Sequence, residues 1–133
     1  MEIRWRGPFT SSEANQLHAE AFGTRVCSDQ EWNWRDQVAA HSLGWVTARD
    51  DGGVLTGFVN VVWDGEVHAW LQDVMVAAAS RHGGIGRRLV EAARDGARAA
   101  GCEWLHVDFA DELAPFYLDA CGFLPTRAGL MAL

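Results

Sequence analysis

The chain has 133 residues and a formal net charge of −7, with 49% hydrophobic and 22% charged residues. This length and composition predict a single globular domain over residues 1–133 with a sizeable core. The acidic balance argues against nucleic acid as a partner, because such binding rests on contacts between cations and phosphates. No apolar run approaches the ~20 residues of a membrane span, and the N-terminal residues lack the apolar segment of a secretion signal. We therefore expect a cytoplasmic protein that does not bind a membrane.

Cysteine and histidine usage predicts neither a disulfide framework nor a metal site. The cysteines are odd in number and widely spaced, and none forms a Cys-x-x-Cys pair: Cys27, Cys102 and Cys121. The five histidines show no paired spacing typical of metal ligands. No metal cofactor is expected.

The first half of the chain predicts one strand, two helices and two further strands. Residues 2–6 form the first strand, and Thr10 and Glu13 offer the capping groups of a helix that runs to about Phe22. A second helix is predicted from Ser28 or Asp29 to about His41. Strands follow over residues 43–49 and 54–63, with a hairpin turn signal at residues 50–53.

The second half predicts a strand over residues 67–77, a glycine-rich turn and a long helix that ends near Gly101. A strand over residues 104–109, a short helix beginning at Pro115 and a terminal strand from Phe123 complete the chain. The order is β-α-α-β-β-β-α-β-α-β. A hairpin meander that leads into one βαβ crossover predicts a mixed central sheet and an α/β (α+β) fold.

The most informative segment is the glycine-rich turn at residues 81–88. A turn of this kind between a strand and a helix exposes backbone N–H groups at the positive end of the helix dipole, which predicts a phosphate site. A nucleoside-triphosphate loop needs Lys-Ser or Lys-Thr after its last glycine, but Arg87 and Arg88 stand there and the chain has no lysine. A dinucleotide loop needs a third glycine or alanine where Leu89 stands. The remaining pattern is Arg-x-x-Gly-x-Gly, formed by Arg81, Gly84 and Gly86.

This pattern resembles the pyrophosphate loop of the GNAT superfamily of acyl-CoA-dependent N-acyltransferases. A second segment, Ala114 to Phe123, resembles the family's other signature, a short helix that carries a tyrosine and ends at Gly-Phe. The resemblance covers residues 43–133. It implies the GNAT fold, whose central strands splay around the acyl-CoA site, and acetyl-CoA as co-substrate. It also implies an N-acetyltransferase that acts on a primary amine of a small molecule or peptide by direct transfer in a ternary complex.

The resemblance assigns cofactor-binding roles to the loop and to the strand before it. The pyrophosphate is held by side chains and amides of Arg81, His82, Gly83, Gly84, Ile85, Gly86 and Arg87. The main chains of Val74 and Val76 pair with the pantetheine amides. Tyr117 is the general acid that protonates the departing CoA thiolate. A phenol with a pKa near 10 is protonated at neutral pH and can donate.

Asp73 is the first candidate for the general base. Strand alternation places it on one face with apolar neighbours, and an acid among apolar side chains is costly unless it is paired or used. Those neighbours are Ala69, Leu71 and Met75. An ion pair with an arginine is the competing interpretation of Asp73. Weaker candidates for the base are Glu66, His68, His106 and Asp108.

Other points stay open at this stage. Ala110 stands where many relatives carry an asparagine that contacts pantetheine, seven residues before the tyrosine. A non-catalytic acyl-CoA sensor or interaction module on the same fold is therefore the chief alternative, and a domain without a nucleotide ligand is a third. Most of the seven tryptophans are expected in the core or in a homodimer contact, with an aromatic pocket for a cationic amine as the other option.

Overall fold

The computed structural model describes residues 1–133 and contains one five-stranded mixed sheet in the order β1-β2-β3-β4-β5. Its antiparallel strands are β1 (Glu2–Trp5), β2 (Ser42–Arg49), β3 (Leu55–Trp63) and β4 (His68–Val76). The last strand, β5 (Trp104–His106), runs parallel to β4. The helices are α1 (Ser11–Phe22), α2 (Trp34–His41), α3 (Ile85–Ala99) and the short π-helical α4 (Pro115–Ala120). The predicted mixed α/β fold is confirmed.

Helix α1 begins and ends at the predicted residues. The Thr10 hydroxyl accepts a hydrogen bond from the Glu13 N–H at 3.1 Å, and the Glu13 carboxylate accepts one from the Thr10 N–H at 3.0 Å. This reciprocal capping box satisfies two donors that a helix start leaves free. Glu13 also forms a salt bridge with Arg49 at 2.6 Å, which links the start of α1 to β2.

Helix α2 begins at Trp34, several residues later than the predicted start at Ser28 or Asp29. Ser28 and Glu31 exchange hydrogen bonds of 3.0 and 3.2 Å that imitate a capping box, but the chain turns instead of continuing as a helix. Asn33 then caps the helix by accepting from the Asp36 N–H at 3.0 Å. Two successive capping patterns therefore compete, and the second one starts the helix.

The sheet has a hydrophobic core on each face. Helix α3 packs its buried stripe on one face of β2–β4, and this stripe is formed by Ile85, Leu89, Val90, Ala93 and Ala97. On the other face, α1 and α2 enclose the fully buried Trp34 against Phe58 and Met75. The indole N–H of Trp34 donates to the Asn15 side chain at 2.8 Å, which satisfies the polar atom of this buried ring.

The close contact between β3 and α3 depends on Gly57. A Cβ at this position would lie 2.9 Å from Leu89 Cδ1 and 3.1 Å from Ile85 Cγ2. We expect Gly57→Ala to lower the free energy of unfolding by about 1–3 kcal/mol, because a methyl group inserted into a packed core displaces its neighbours. Gly52→Ala, in an open hairpin turn, is the matched control. Urea unfolding of both variants checks this, and equal midpoints would contradict the close packing.

Strand β4 contains a bulge at Asp73. Phe58 of β3 lies opposite Met75, whereas Asn60 lies opposite Gln72, so β4 carries one extra residue between these pairs. Asp73 occupies the left-handed region with φ 54°, a conformation that aspartate tolerates better than most residues with a side chain.

Because of the bulge, the alternation along β4 differs from the predicted one. Ala69 and Leu71 pack in the core beneath α3, but Met75 packs in the core beneath α1 and α2. The prediction that these residues share one face with Asp73 was wrong, because the extra residue reverses the alternation beyond it.

The end of the chain also differs from prediction. Strand β5 stops at His106 rather than at residue 109, and residues 121–133 form no regular secondary structure, so the predicted terminal strand is absent. Phe109 leaves the sheet to stack on Tyr117 with ring centroids 5.0 Å apart. Gly122 has φ 80°, and the following Phe123 N–H donates to the Tyr117 carbonyl at 2.9 Å instead of pairing with a strand. The outer edge of β5 is consequently unpaired.

Candidate active site

A cleft of about 700 Å³ opens between β4, the glycine loop, the start of α3 and α4. Both sequence signatures meet in it, although they lie about thirty residues apart in the chain. The predicted site residues that line it are Val74, Val76, Arg81, His82, Gly84, Gly86, Arg87 and Tyr117.

The loop presents backbone N–H groups to this cleft. His82 and Gly84 have φ values of 65° and 80°, so two left-handed residues bend the chain immediately before α3. The first intrahelical bond is donated by the Arg88 N–H to the Gly84 carbonyl at 3.1 Å. The N–H groups of residues 85–87 therefore lack intrahelical acceptors, as at any helix start. Together with the helix dipole they form an anion-binding end.

The two cleft arginines differ in how they are held. Arg81 donates from Nε to the Val76 carbonyl at 3.3 Å, so its guanidinium lies at the end of β4. Arg87 pairs with Glu91 at 3.0 Å, and both side chains are exposed. An exposed pair of this kind contributes only about 0–1 kcal/mol, so a pyrophosphate can compete for Arg87. Arg88 does not line the cleft.

Gly84 allows a direct test of the loop. Its φ of 80° disfavours any side chain, although nothing lies within 4 Å of the place where a Cβ would stand. We expect Gly84→Ala to raise the Kd for CoA about tenfold, because strain of about 1–2 kcal/mol is relieved by moving the amides. Gly53→Ala is the matched control, since Gly53 has φ 83° and equally open space in a distant hairpin turn. Calorimetric titration with CoA compares them, and equal affinities would contradict a binding role for the loop.

Tyr117 lies in the wall of the cleft with only 5% of its surface exposed. Phe116 and Phe123 contact its ring edge-on, and the Phe109 ring stacks on it. Burial raises the pKa of the phenol to about 12, and the charge of Cys121, once that thiol is ionised, acts in the same direction. The phenol is thus a protonated donor throughout the neutral range. Its hydroxyl has no partner in the protein and is not sealed from the cleft.

Asp73 lies on β4 next to the cleft residue Val74 but does not itself line the cavity. Burial raises the pKa of its carboxyl, and the charge of His18 lowers it in part. No arginine pairs with Asp73 among the ion pairs of the structure, so the competing interpretation from sequence is not met.

Sequence reasoning assigned no site role to His18 or Phe22 of α1. The His18 ring packs against Phe22 and Trp32, with ring centroids 4.7 Å away in both cases. Phe22, half exposed at the end of α1, lines the cleft. Other cleft residues without a sequence prediction are Ala21, Ser80, Leu113, Phe116 and Ala120. The sequence held no signal for Phe22, because single apolar residues are common on protein surfaces.

Some predicted residues lie elsewhere. Gly83 and Ile85 do not line the cleft, and the Ile85 side chain is buried in the core, so only its N–H is directed toward the loop. The alternatives Glu66 and Asp108 are exposed at the ends of β4 and β5. Ala110 is exposed and precedes a single helical turn at Asp111–Leu113.

Most tryptophans serve the core. Trp32 stacks on the buried Trp34 at 4.1 Å, and Trp45 donates to the Gly7 carbonyl at 2.8 Å. Trp104 is the exception, with 61% of its surface exposed on the open edge strand β5. No group of three His, Cys, Asp or Glu side chains could hold a metal ion, and none of the helices has the length and apolarity needed to span a membrane.

Comparison with known proteins identifies the family of the chain. The model of the acetyltransferase (GNAT) family matches residues 11–123, and the chain belongs to that family. Members of this family use acetyl-CoA and transfer acetyl groups. No curated protein matches the sequence closely enough to count as a relative.

Solved structures share the fold at low sequence identity. An acetyltransferase of Trypanosoma brucei is 18% identical with a TM-score of 0.78, over 99% of this chain and 100% of the other. Glucosamine-6-phosphate N-acetyltransferase from Arabidopsis thaliana is 17% identical with a TM-score of 0.79. The match covers 100% of this chain and 99% of the other. AAC(6')-Iy, solved with the bisubstrate analog CoA-S-monomethyl-acetylneamine, is 17% identical with a TM-score of 0.75. The match covers 99% of this chain and 96% of the other.

Proposed function

We propose that the chain is a cytoplasmic N-acetyltransferase that moves the acetyl group of acetyl-CoA directly to a primary amine in a ternary complex. The observation that carries this is the convergence of both signatures on one 700 Å³ cleft. The anion-binding loop and a protonated phenol both line this cleft.

In this proposal the loop amides and Arg81 hold the pyrophosphate, with Arg87 recruited from Glu91. Pantetheine runs back along β4, where the main chains of Val74 and Val76 pair with its amides. The Asp73 carboxylate, beside the cleft rather than in its lining, accepts a proton from the amine through one water as the amine attacks the thioester carbonyl. Tyr117 donates its proton to the sulfur as the C–S bond breaks, because a thiol leaves more readily than a thiolate.

The first test is thermal unfolding with and without acetyl-CoA, compared with ATP and NAD. A ligand at 100 times its Kd adds about 2.7 kcal/mol to the free energy of unfolding, so a shift with acetyl-CoA alone is expected. Free thiol release is then followed with propylamine, spermidine, glucosamine and a lysine-containing peptide as acceptors. No shift with acetyl-CoA would overturn the cofactor. A shift without turnover on any amine would favour the sensor over the enzyme.

A further inference from the structure

Two histidines from neighbouring strands form a hydrogen-bonded pair that the assignments above do not use. His68 Nδ1 and His106 Nε2 are 2.8 Å apart. Both rings lie near the indole of Trp70, and the His106 ring stacks on it at 4.9 Å. One imidazole must donate and the other must accept, so at least one ring is neutral.

The remaining ring nitrogens of the pair are free and accessible. His68 Nε2 and His106 Nδ1 make no other hydrogen bond, and Asn60 Nδ2 is the only buried side-chain polar atom without a partner. The two half-buried rings are therefore open to solvent or ligand at their outer nitrogens. A pair with one free nitrogen at each end can take up a proton at one end and release another at the other.

The pair lies where the splayed strands rejoin. β4 and β5 pair over three residues only, and the last of these pairs is Trp70 with His106. The cleft residues follow β4 backwards from the loop, through Val76 and then Val74. The same line along β4 reaches the Trp70–His106 pair four residues before Val74, just outside the cleft lining, so His106 is the ring nearer to the cleft. His68, next to the turn at residues 64–66, is the outer one.

The face of the sheet on which the histidine pair lies is also open to an incoming amine. Ala69 and Leu105 pack toward α3, so alternation directs Trp70 and His106 to the opposite face. Helices α1 and α2 cover β2 and β3 on that face and reach only the far end of β4, through Met75. The charged residues nearest to the pair along the two strands are acidic and exposed: Asp64, Glu66, Glu103 and Asp108.

The proton balance of the proposed reaction requires a route by which one proton leaves the site for solvent. An ammonium group carries three N–H bonds and the amide product keeps one, so two protons leave the nitrogen. One replaces the proton that Tyr117 gives to the sulfur, by way of Asp73. The other is released, as in RNH₃⁺ + CH₃CO–SCoA → CH₃CO–NHR + CoASH + H⁺.

We propose that His106 and His68 form a relay that takes this released proton from the bound ammonium group to solvent, an inference that rests on the proposed acetyl transfer. An ammonium N–H bond breaks and its proton passes to a bridging water, which gives one of its own protons to His106 Nδ1, where an N–H bond forms. The Nε2 proton of His106 moves to His68 Nδ1, and His68 releases its Nε2 proton to water. Proton exchange with water at the free nitrogens then returns both rings to their starting tautomers.

The test uses His106→Gln and His68→Asn, whose amides reach the positions of the bonded nitrogens but cannot relay a proton. With the fastest amine of the four named above, we expect kcat/KM at neutral pH to fall by about 10²-fold in either variant. The loss should shrink as the pH approaches the pKa of the amine, because more amine then arrives uncharged. His41→Asn, an exposed histidine at the end of α2, is the matched control.

The outcomes separate the relay from the proposed function. An undiminished rate at neutral pH would overturn the relay, and so would a loss that stays constant with pH, since a structural defect does not depend on the charge of the amine. The acetyl-CoA thermal shift of each variant is measured alongside and should equal that of the wild type. Wild-type binding of acetyl-CoA without turnover on any of the four amines would overturn catalysis and the relay together.

Discussion

Tyr117→Phe is expected to lower kcat by about 10²-fold while the Kd for CoA changes little, because the variant loses only the proton donor of the departing sulfur. The ring stays between Phe109 and Phe116, and no hydrogen bond within the protein is lost, since the hydroxyl has no partner there. Steady-state thiol release and calorimetric titration with CoA measure the two quantities separately.

The raised pKa of Tyr117 adds a pH signature. The phenol acts in its protonated form, so activity falls only as the pH rises through its pKa of about 12. An ordinary phenol would already begin to lose its proton near pH 10. The wild-type kcat should therefore show no basic decline from this group up to about pH 10. Full activity of the phenylalanine variant would exclude Tyr117 as the acid.

Asp73→Asn is expected to lower kcat/KM by about 10²-fold and to remove the acidic limb of its pH profile. A base acts in its ionised form, so wild-type activity should rise as the pH increases through the pKa of Asp73, which burial raises above its usual value. Asparagine adopts the left-handed conformation readily, so the bulge at φ 54° is preserved. Asp108→Asn, which removes an exposed alternative carboxylate, is the comparison.

The same variant should be more stable than the wild type at neutral pH. A carboxyl with a raised pKa in the folded state binds protons more tightly folded than unfolded, so its ionisation costs stability as the pH rises from the unfolded pKa through the folded one. Asparagine carries no charge and avoids this cost above that window, whereas below it the two proteins should melt alike. A mutant that retains the wild-type pH profile would rule out Asp73 as the base, whatever its stability.

The position of the glycine loop could be predicted from the sequence because loops of this kind are defined locally. Glycines at fixed spacing after a strand determine where amides point, so Arg81, Gly84 and Gly86 could be placed without knowledge of the rest of the molecule. Tyr117 was placed by a similar local signature, with Pro115 at the start of its helix. Arg81, Gly84, Gly86 and Tyr117 all line the cleft.

Contacts between distant segments could not be predicted in this way. The pair of His68 and His106 depends on the register of β4 with β5, and the approach of His18 to Asp73 depends on where α1 packs. The bulge at Asp73 was missed for a related reason. Its sequence reads as an ordinary alternating strand, and only the pairing with β3 reveals the extra residue.

The extra residue in β4 makes the length of this strand as important as its composition. Residues before the bulge belong to the core beneath α3, and Met75 after it belongs to the core beneath α1 and α2. Deleting one residue at position 73 would rotate the remainder of the strand by half a turn, so that Met75 would exchange faces with its valine neighbours. Substitutions along β4 are therefore local events, whereas a one-residue deletion would damage both cores and the floor of the cleft together.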